Sequence, residues 1–406
     1  MNKKVMLVGM GMQGKAALHD LVNSGEVSHI TVVDNQPDLL TYLSRYPTAK
    51  VSGRILDASD EASLSLLMRN ADVVIEALPG DFALRIGRLA ADCGVSLVSS
   101  MYYLNPGEQD PARIQSIQNE ILQIDQKAKE KEITILTEFG LDPGLDLVLG
   151  ATAIREMDEV LEFHTYGAGL PAADARLNPL KYKFSWSAIG VMKAYKRQAK
   201  IISKGKALKI EAEKVFEKGN YHLIDVKELG VKLECFPNGD AVHYAELFGI
   251  RDSVQEMGRY TCRYPGHCAF WDIMTKIGFL DEQAIRVGDA SVSPIEFTAA
   301  LLASQGQFNY ADNEQDLAFI RIDVRGRRKG KRTRLIYQLI DRRDMETGFT
   351  SMQRTVGFTM SLAARLILER KLRPGLLTPL DVPYDSVFPA LEKHNICVVR
   401  REMPWS

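Results

Sequence analysis

The chain has 406 residues, 46% hydrophobic and 25% charged, with Lys+Arg 51 against Asp+Glu 52. That length exceeds one ordinary core and predicts two or three domains, while the balanced charge gives no reason to expect a nucleic acid or a membrane surface as partner. The cysteines (Cys93, Cys235, Cys262, Cys268, Cys397) are few, scattered and odd in number, which excludes a disulfide framework and suits a reducing cytoplasm.

The N-terminal run MNKKVMLVGMG is too short in apolar residues for a secretory signal, and no segment has the length of a membrane span. Strand-length apolar runs then alternate with helix-period segments. Strands are predicted at residues 4–9, 29–33, 50–53, 72–77, 96–99 and 133–138, and helices near 13–23, 37–45, 61–69, 81–92 and 111–131. KVMLVG, TVVD and DVVIEAL are continuous apolar runs, as strands buried on both faces should be. After Gly150 the strand-like stretches cluster: 160–166, pieces within 207–215 and 230–250, then 259–263, and the pair 318–324 and 334–341. The link RGRRKGKRT between that pair reads as a solvated hairpin tip rather than a nucleic-acid site. A helix over 355–371 stops before Pro374, and a helix over 385–394 and a strand over 396–399 close the chain. The expected fold is α/β: a doubly wound parallel sheet of Rossmann type over residues 1–150, completed by 351–406, with a second, α+β domain over 151–350.

Gly9-Met10-Gly11-Met12-Gln13-Gly14 is G-x-G-x-x-G between a predicted strand and a predicted helix. Gly9 permits the tight turn, Gly11 lets a pyrophosphate approach the backbone, and Gly14 allows close helix packing; Met12 and Gln13 complete the cradle at the helix N-terminus. Asp34 ends the second strand, where a carboxylate takes the ribose hydroxyls and repels a 2′-phosphate, so the cofactor expected is NAD, with NADP disfavoured. Leu78 and Pro79 after the fourth strand, and Ser99 after the fifth, should also line the cofactor, since ligands sit beyond the carboxyl ends of such strands. Asp57-Ala58-Ser59 either borders the adenine or caps the next helix.

Cys262, His267 and Cys268 lie close in sequence but lack metal-ligand spacing, so no metal is expected. Four other stretches carry more. They are Thr137-Glu138-Phe139-Gly140-Leu141-Asp142-Pro143-Gly144-Leu145-Asp146, Asn178-Pro179-Leu180-Lys181-Tyr182-Lys183-Phe184-Ser185-Trp186-Ser187, Arg263-Tyr264-Pro265-Gly266-His267, and Arg354-Thr355-Val356-Gly357. Together they resemble the saccharopine dehydrogenase family, whose members include glutamate-forming saccharopine reductases and lysine 6-dehydrogenases.

The resemblance implies an amino-acid site lined by Glu138, Asp142, Trp186 and Arg263, with Ser100 and Tyr102 matching a serine–tyrosine pair that Met101 here separates. It also implies a homodimer through the second domain, and NADP(H) in several members, from which Asp34 departs. An arginine can grip a substrate carboxylate bidentately, carboxylates can hold amino groups, and a tryptophan can screen water. Proton transfer from the amine calls for a group titrating near neutrality, and Asp142 and His267 are the candidates. Each residue has a plainer alternative: helix cap for Asp142, ion pair for Glu138, structural pairing for Arg263, packing for His267 and Trp186. The expected activity is oxidation at an amino acid's C–N bond at the domain junction, with saccharopine first. Lysine 6-dehydrogenation and carboxynorspermidine formation are the alternatives within the class, and a catalytically silent nucleotide-binding regulator is the alternative outside it.

Overall fold

The first strand, β1 (Lys4–Val8), buries Val5, Met6, Leu7 and Val8 in succession, which only a strand covered on both faces does. It is followed in alternation by α1 (Met12–Asn23), β2 (His29–Asp34), α2 (Leu39–Leu43), β3 (Val51–Ile55), α3 (Glu61–Met68), β4 (Val73–Glu76), α4 (Ala83–Cys93), β5 (Ser96–Ser99), α5 (Pro111–Glu130) and β6 (Thr134–Leu136). Local chemistry sets the boundaries. Asp60 caps α3 by accepting the Ser63 N–H, Asp110 caps α5 ahead of Pro111, and Gly94 ends α4 at φ 71°. The computed structural model describes residues 3–405; Met1 and Asn2, part of the N-terminal run read above, and Ser406 lie outside the described residues.

From α6 (Leu145–Arg155) the chain continues through β7 (Glu159–Pro171), α7 (Ala188–Tyr195), β8 (Ala199–Ser203), β9 (Lys206–Ile210), β10 (His222–Val226), β11 (Val231–Pro237), α8 (Ala241–Leu247), β12 (Glu256–Arg263) and α9 (His267–Lys276). Then come the short hairpin β13 (Ile285–Val287) and β14 (Ala290–Val292), α10 (Pro294–Ser304), β15 (Asp316–Arg328), β16 (Lys331–Arg342), α11 (Ser351–Leu368), β17 (Gly375–Leu377), α12 (Tyr384–Glu392) and β18 (Val398–Pro404). Two compact units result: the chain up to Val148 with Gln353–Ile396, and Leu149–Met352 with the segment from Cys397 on.

The first unit holds a parallel seven-stranded sheet in the order β17-β6-β5-β4-β1-β2-β3. The order reverses between β1 and β4, so the carboxyl ends of β1, β2 and β4 surround the switch point where ligands bind in such sheets. The second unit holds a mixed sheet in which β12 and β7 run parallel while β7, β15 and β16 run antiparallel. Two details differ from expectation. The last strand, β18, pairs with β16 from Thr333↔Pro404 to Leu339↔Val398, so the chain end completes the second sheet rather than the first. Helices α7 to α10 also occupy stretches that alternation alone reads as strand or leaves blank. The basic hairpin is ion-paired: Arg325 to Glu162 at 2.7 Å, Arg328 to Glu156 at 3.0 Å and to Glu402 at 2.9 Å. Among the described residues, no helix is long and apolar enough to cross a membrane.

Candidate functional site

In the first unit, Gly9 follows β1 at φ 101°, and a Cβ there would stand 2.5 Å from the Ala77 carbonyl oxygen. A Cβ on Gly14 would stand 2.0 Å from the Gly9 carbonyl oxygen, so α1 starts hard against the turn. Gly11, the N-cap of α1, has no atom within 4 Å of its missing Cβ and no side-chain cap. The open space, the uncapped first-turn N–H groups and the helix dipole form a cradle that fits a pyrophosphate. It opens into a groove of about 520 Å³ lined by Gly9, Gly11, Lys15, Asp34, Asp57 and Leu78 among others.

Asp34 reaches this groove with both oxygens already engaged: one accepts the Met10 N–H at 2.6 Å, the other the Gln36 N–H at 2.8 Å. Asp57 accepts the Ser59 N–H at 2.8 Å and the Asn35 amide at 3.2 Å, and with Ala58 it lines the groove; capping of α3 falls to Asp60 instead. Two cations lie over the Tyr42 ring, Lys15 Nζ 4.9 Å and Arg45 Cζ 3.9 Å from its centre. Leu78 and Pro79 line the groove, but Met12, Gln13, Gly14 and Ser99 stand outside its lining. The Met12 carbonyl accepts the Gln353 amide, and Ser99 is fully buried on Glu76.

Behind β5 and β6, two turns lie side by side. The Met101 carbonyl accepts the Glu138 N–H at 3.3 Å and the Ser99 carbonyl accepts the Phe139 N–H at 2.9 Å. The approach is close at Gly140, where a Cβ would stand 3.1 Å from the Ser100 Cβ. Ser100, Tyr102 and half-buried Glu138, which takes φ 58°, thus share one region with Asp142, which is exposed. Within the first turn of α6, the Asp146 carboxylate reaches back to accept the Gly144 N–H at 2.9 Å.

In the second unit, Asn178 organises the N-P-L-x-Y-K-F-S-W-S loop. Its amide donates to the Tyr182 and Gln307 carbonyls, and its oxygen accepts the Leu180 and Tyr182 N–H groups. Lys183 is buried against Glu314 at 2.7 Å, and the half-buried Trp186 indole packs on Gly190, where a Cβ would stand 2.4 Å away. Arg263 ends β12 in the interior. Its Nη1 donates to the Cys262 carbonyl at 2.9 Å, its guanidinium lies 4.8 Å over the Tyr182 ring, and its Nε has no hydrogen-bond partner. No carboxylate lies within ion-pair distance of it among the described residues; burial opposes its charge, while Tyr195 and Tyr182 beside it hold the guanidinium above its ordinary range.

His267 starts α9 at 1% exposure, its Nε2 2.9 Å from the Tyr195 hydroxyl and its ring among Tyr182, Tyr195, Phe236 and Trp271. Burial, and then the Arg263 charge, hold it well below the usual imidazole range. It therefore stays neutral and is not the near-neutral titrating group that the sequence suggested. Cys262 faces Cys235 across the strands, and the Cys268 N–H donates to Glu234. Sequence reasoning missed Glu234, whose carboxylate takes the Gly266 and Cys268 N–H groups at the start of α9. It also missed Glu76, a lone carboxyl at a strand end.

A parallel sheet with a glycine cradle at its switch point, followed by a mixed-sheet unit, is the architecture of an α/β dinucleotide-binding protein with a second domain. The chain belongs to the saccharopine dehydrogenase family: the family's NADP-binding domain matches residues 5–136 and its C-terminal domain residues 140–396. It is 25% identical to the alpha-aminoadipic semialdehyde synthase of Arabidopsis thaliana over 83% of this chain but 37% of that protein. The chain thus spans little more than a third of that relative. Against the saccharopine dehydrogenase [NADP(+), L-glutamate-forming] of Saccharomyces cerevisiae it is 25% identical over 93% of this chain and 94% of the relative. The apo structure of the yeast L-Glu-forming saccharopine dehydrogenase shares the fold, with a TM-score of 0.81 at 22% identity over 99% of this chain and 100% of that one.

Proposed function

We propose that this chain oxidises a secondary amine of an amino acid with NAD, saccharopine being the first substrate, and releases glutamate and a lysine-derived semialdehyde. The observation that carries this reading is Arg263, a buried cation with an unpartnered Nε and no protein carboxylate beside it. Such a group is stabilised by a ligand carboxylate, of which saccharopine has three.

Roles follow from residue chemistry. The Gly9–Gly11 cradle holds the pyrophosphate, Asp34 the ribose, and Leu78 and Pro79 border the far end of the dinucleotide. When bound, the nicotinamide supplies the hydride acceptor. Glu138 holds an ammonium group of the substrate, Ser100 and Tyr102 supply hydroxyls for its polar groups, and Trp186 covers its aliphatic stem. Asp142, whose side chain is exposed, accepts the amine proton, so that the nitrogen lone pair is available as hydride leaves the adjacent carbon. Water then adds to the resulting imine carbon, and the C–N bond breaks to give the aldehyde and the free amine. A homodimer belongs to the same proposal, and light scattering at twice the chain mass is its test.

A second reading, NADP(H), is favoured by Lys15 and Arg45 around Tyr42, and by the NADP in the family model's description and in the yeast relative's name. Against it stands the Asp34 carboxylate, which repels a 2′-phosphate. The test is absorbance at 340 nm with NAD or NADP, offered saccharopine or lysine, and in reverse glutamate plus the semialdehyde. NAD reduction with saccharopine supports the proposal. NADP reduction alone overturns the role of Asp34, reduction with lysine alone moves the substrate, and cofactor binding without turnover leaves a regulator.

A further inference from the structure

Glu76 ends β4 with no solvent exposure. No lysine, arginine or histidine contributes to its environment among the described residues. A buried carboxylate without a cation is expensive unless hydrogen bonds hold it. Here they do: the Leu78 N–H donates to Oε1 at 2.8 Å and the Ser99 hydroxyl to Oε2 at 2.5 Å. The Ser99 oxygen in turn accepts the Met101 N–H at 3.0 Å. From the same turn, the Ser99 and Met101 carbonyls accept the Phe139 and Glu138 N–H groups. One carboxylate thus connects the groove-lining Leu78–Pro79 turn, the turn that carries Ser100 and the turn that carries Glu138.

We propose that Glu76 is a positioning residue: its buried carboxylate fixes the cofactor-lining turn and the Ser99–Met101 turn in one geometry, and tight binding of NADH depends on that tether. The inference rests on the nicotinamide reading of the first unit. The tether uses the ionised form, because both carboxyl oxygens act as acceptors. A proton on Oε2 reverses that bond: the Ser99 oxygen can accept from both Oε2 and the Met101 N–H, but the buried Ser99 hydroxyl hydrogen then loses the acceptor it has in the ionised state. Burial raises the Glu76 carboxyl to about 7, within working pH. The groups that face it are few. β5 offers Ser99 and β1 offers Val8 as register neighbours, and the loop after β5 offers Tyr103, a buried phenol pushed well above its ordinary range. Tyr103 therefore stays neutral, and its hydroxyl packs against Gly87 of α4.

The experiment is titration of NADH by fluorescence between pH 6 and 8.5 for wild type, Glu76→Gln, Ser99→Ala and the double variant. Wild-type affinity is expected to weaken about tenfold as pH falls through the Glu76 range, the worth of a hydrogen bond to a charged group. Glu76→Gln should bind at the weak level at every pH, with a flat profile. Ser99→Ala should weaken binding at high pH, and the double variant should be no worse than Glu76→Gln. A wild-type pH profile retained in Glu76→Gln, or losses that add in the double variant, overturns the proposal. So does a melting temperature that falls in both single variants in step with their affinity, since that marks a merely structural role. A wild-type chain that binds neither NADH nor NADPH overturns the cofactor reading along with it, whereas wild-type binding that ignores pH and both substitutions overturns the tether alone.

Discussion

Arg263 and His267 lie four positions apart, and both are interior, yet the physics gives them opposite roles. Arg263 carries a charge without a counterion, so its removal relieves a desolvation cost while losing a carboxylate grip. Arg263→Met is therefore expected to keep or raise the melting temperature while kcat/KM falls about a hundredfold, most of it through KM, with NADH affinity unchanged. Equal loss of NADH binding, or an unchanged KM, would remove Arg263 from the substrate site. His267 is neutral and packed by aromatic rings. Because its folded pKa is depressed, the stability it contributes is present above about 6.5 and drains away as pH falls and the unfolded chain takes up the proton. His267→Ala should cost about 3 kcal/mol of stability through the cavity it leaves, with the pH dependence of kcat unmoved. A lost limb in that pH profile would return His267 to the chemistry. The motif around these residues marks them as important, but the sequence carries no measure of their burial, and burial is what separates ligand grip from packing.

The same divide runs through the elements. The strand β1 and the glycine turn after it were legible because every determinant is local: an apolar run, a spacing, a helix start. The place of Asp34 at the end of β2 was legible for the same reason. β17 is three residues long, below any periodic window, and it joins the sheet only because its register against β6 completes an edge. β18 was legible as a strand but not by partner, since alternation says which face is buried and not which sheet supplies the neighbour. Glu76 was invisible because a glutamate at a strand end looks like a boundary. The motif Arg354-Thr355-Val356-Gly357 gains a physical meaning at this scale. A Cβ on Gly357 would stand 2.6 Å from the Gln13 carbonyl oxygen and 2.9 Å from the Ala17 nitrogen, so α11 and α1 touch backbone to backbone. Gly357→Ala should push α1 aside, costing about 1–3 kcal/mol in chemical denaturation. Because α1 begins at the phosphate cradle, NADH binding should weaken with it. A variant that is destabilised with unaltered NADH affinity would show that the two ends of α1 are decoupled.

At the scale of the whole molecule, the chain crosses between its units more than once: it builds six strands of the first sheet, leaves through α6, returns in α11 to add β17, and ends as β18 in the second. A ligand held by the first sheet should therefore stabilise segments far apart in sequence and leave the long stretch between them less affected. At a hundredfold excess over its dissociation constant, NADH contributes about 2.7 kcal/mol to whichever unit binds it. Hydrogen exchange read peptide by peptide distinguishes the possibilities. Slowed exchange is expected first at Gly9–Lys15, at Asp34–Gln36 and at Leu78–Pro79, where the groove is lined, and more weakly across β17 and α11, which share that core. Peptides of β8, β9 and the β13–β14 hairpin, which belong to the second unit and not to the first sheet, should exchange as they do without NADH. Protection confined to the second unit would overturn the cradle as the cofactor site. Protection spread evenly over both would mean that the units unfold as one, in which case a single NADH-dependent melting transition should replace two.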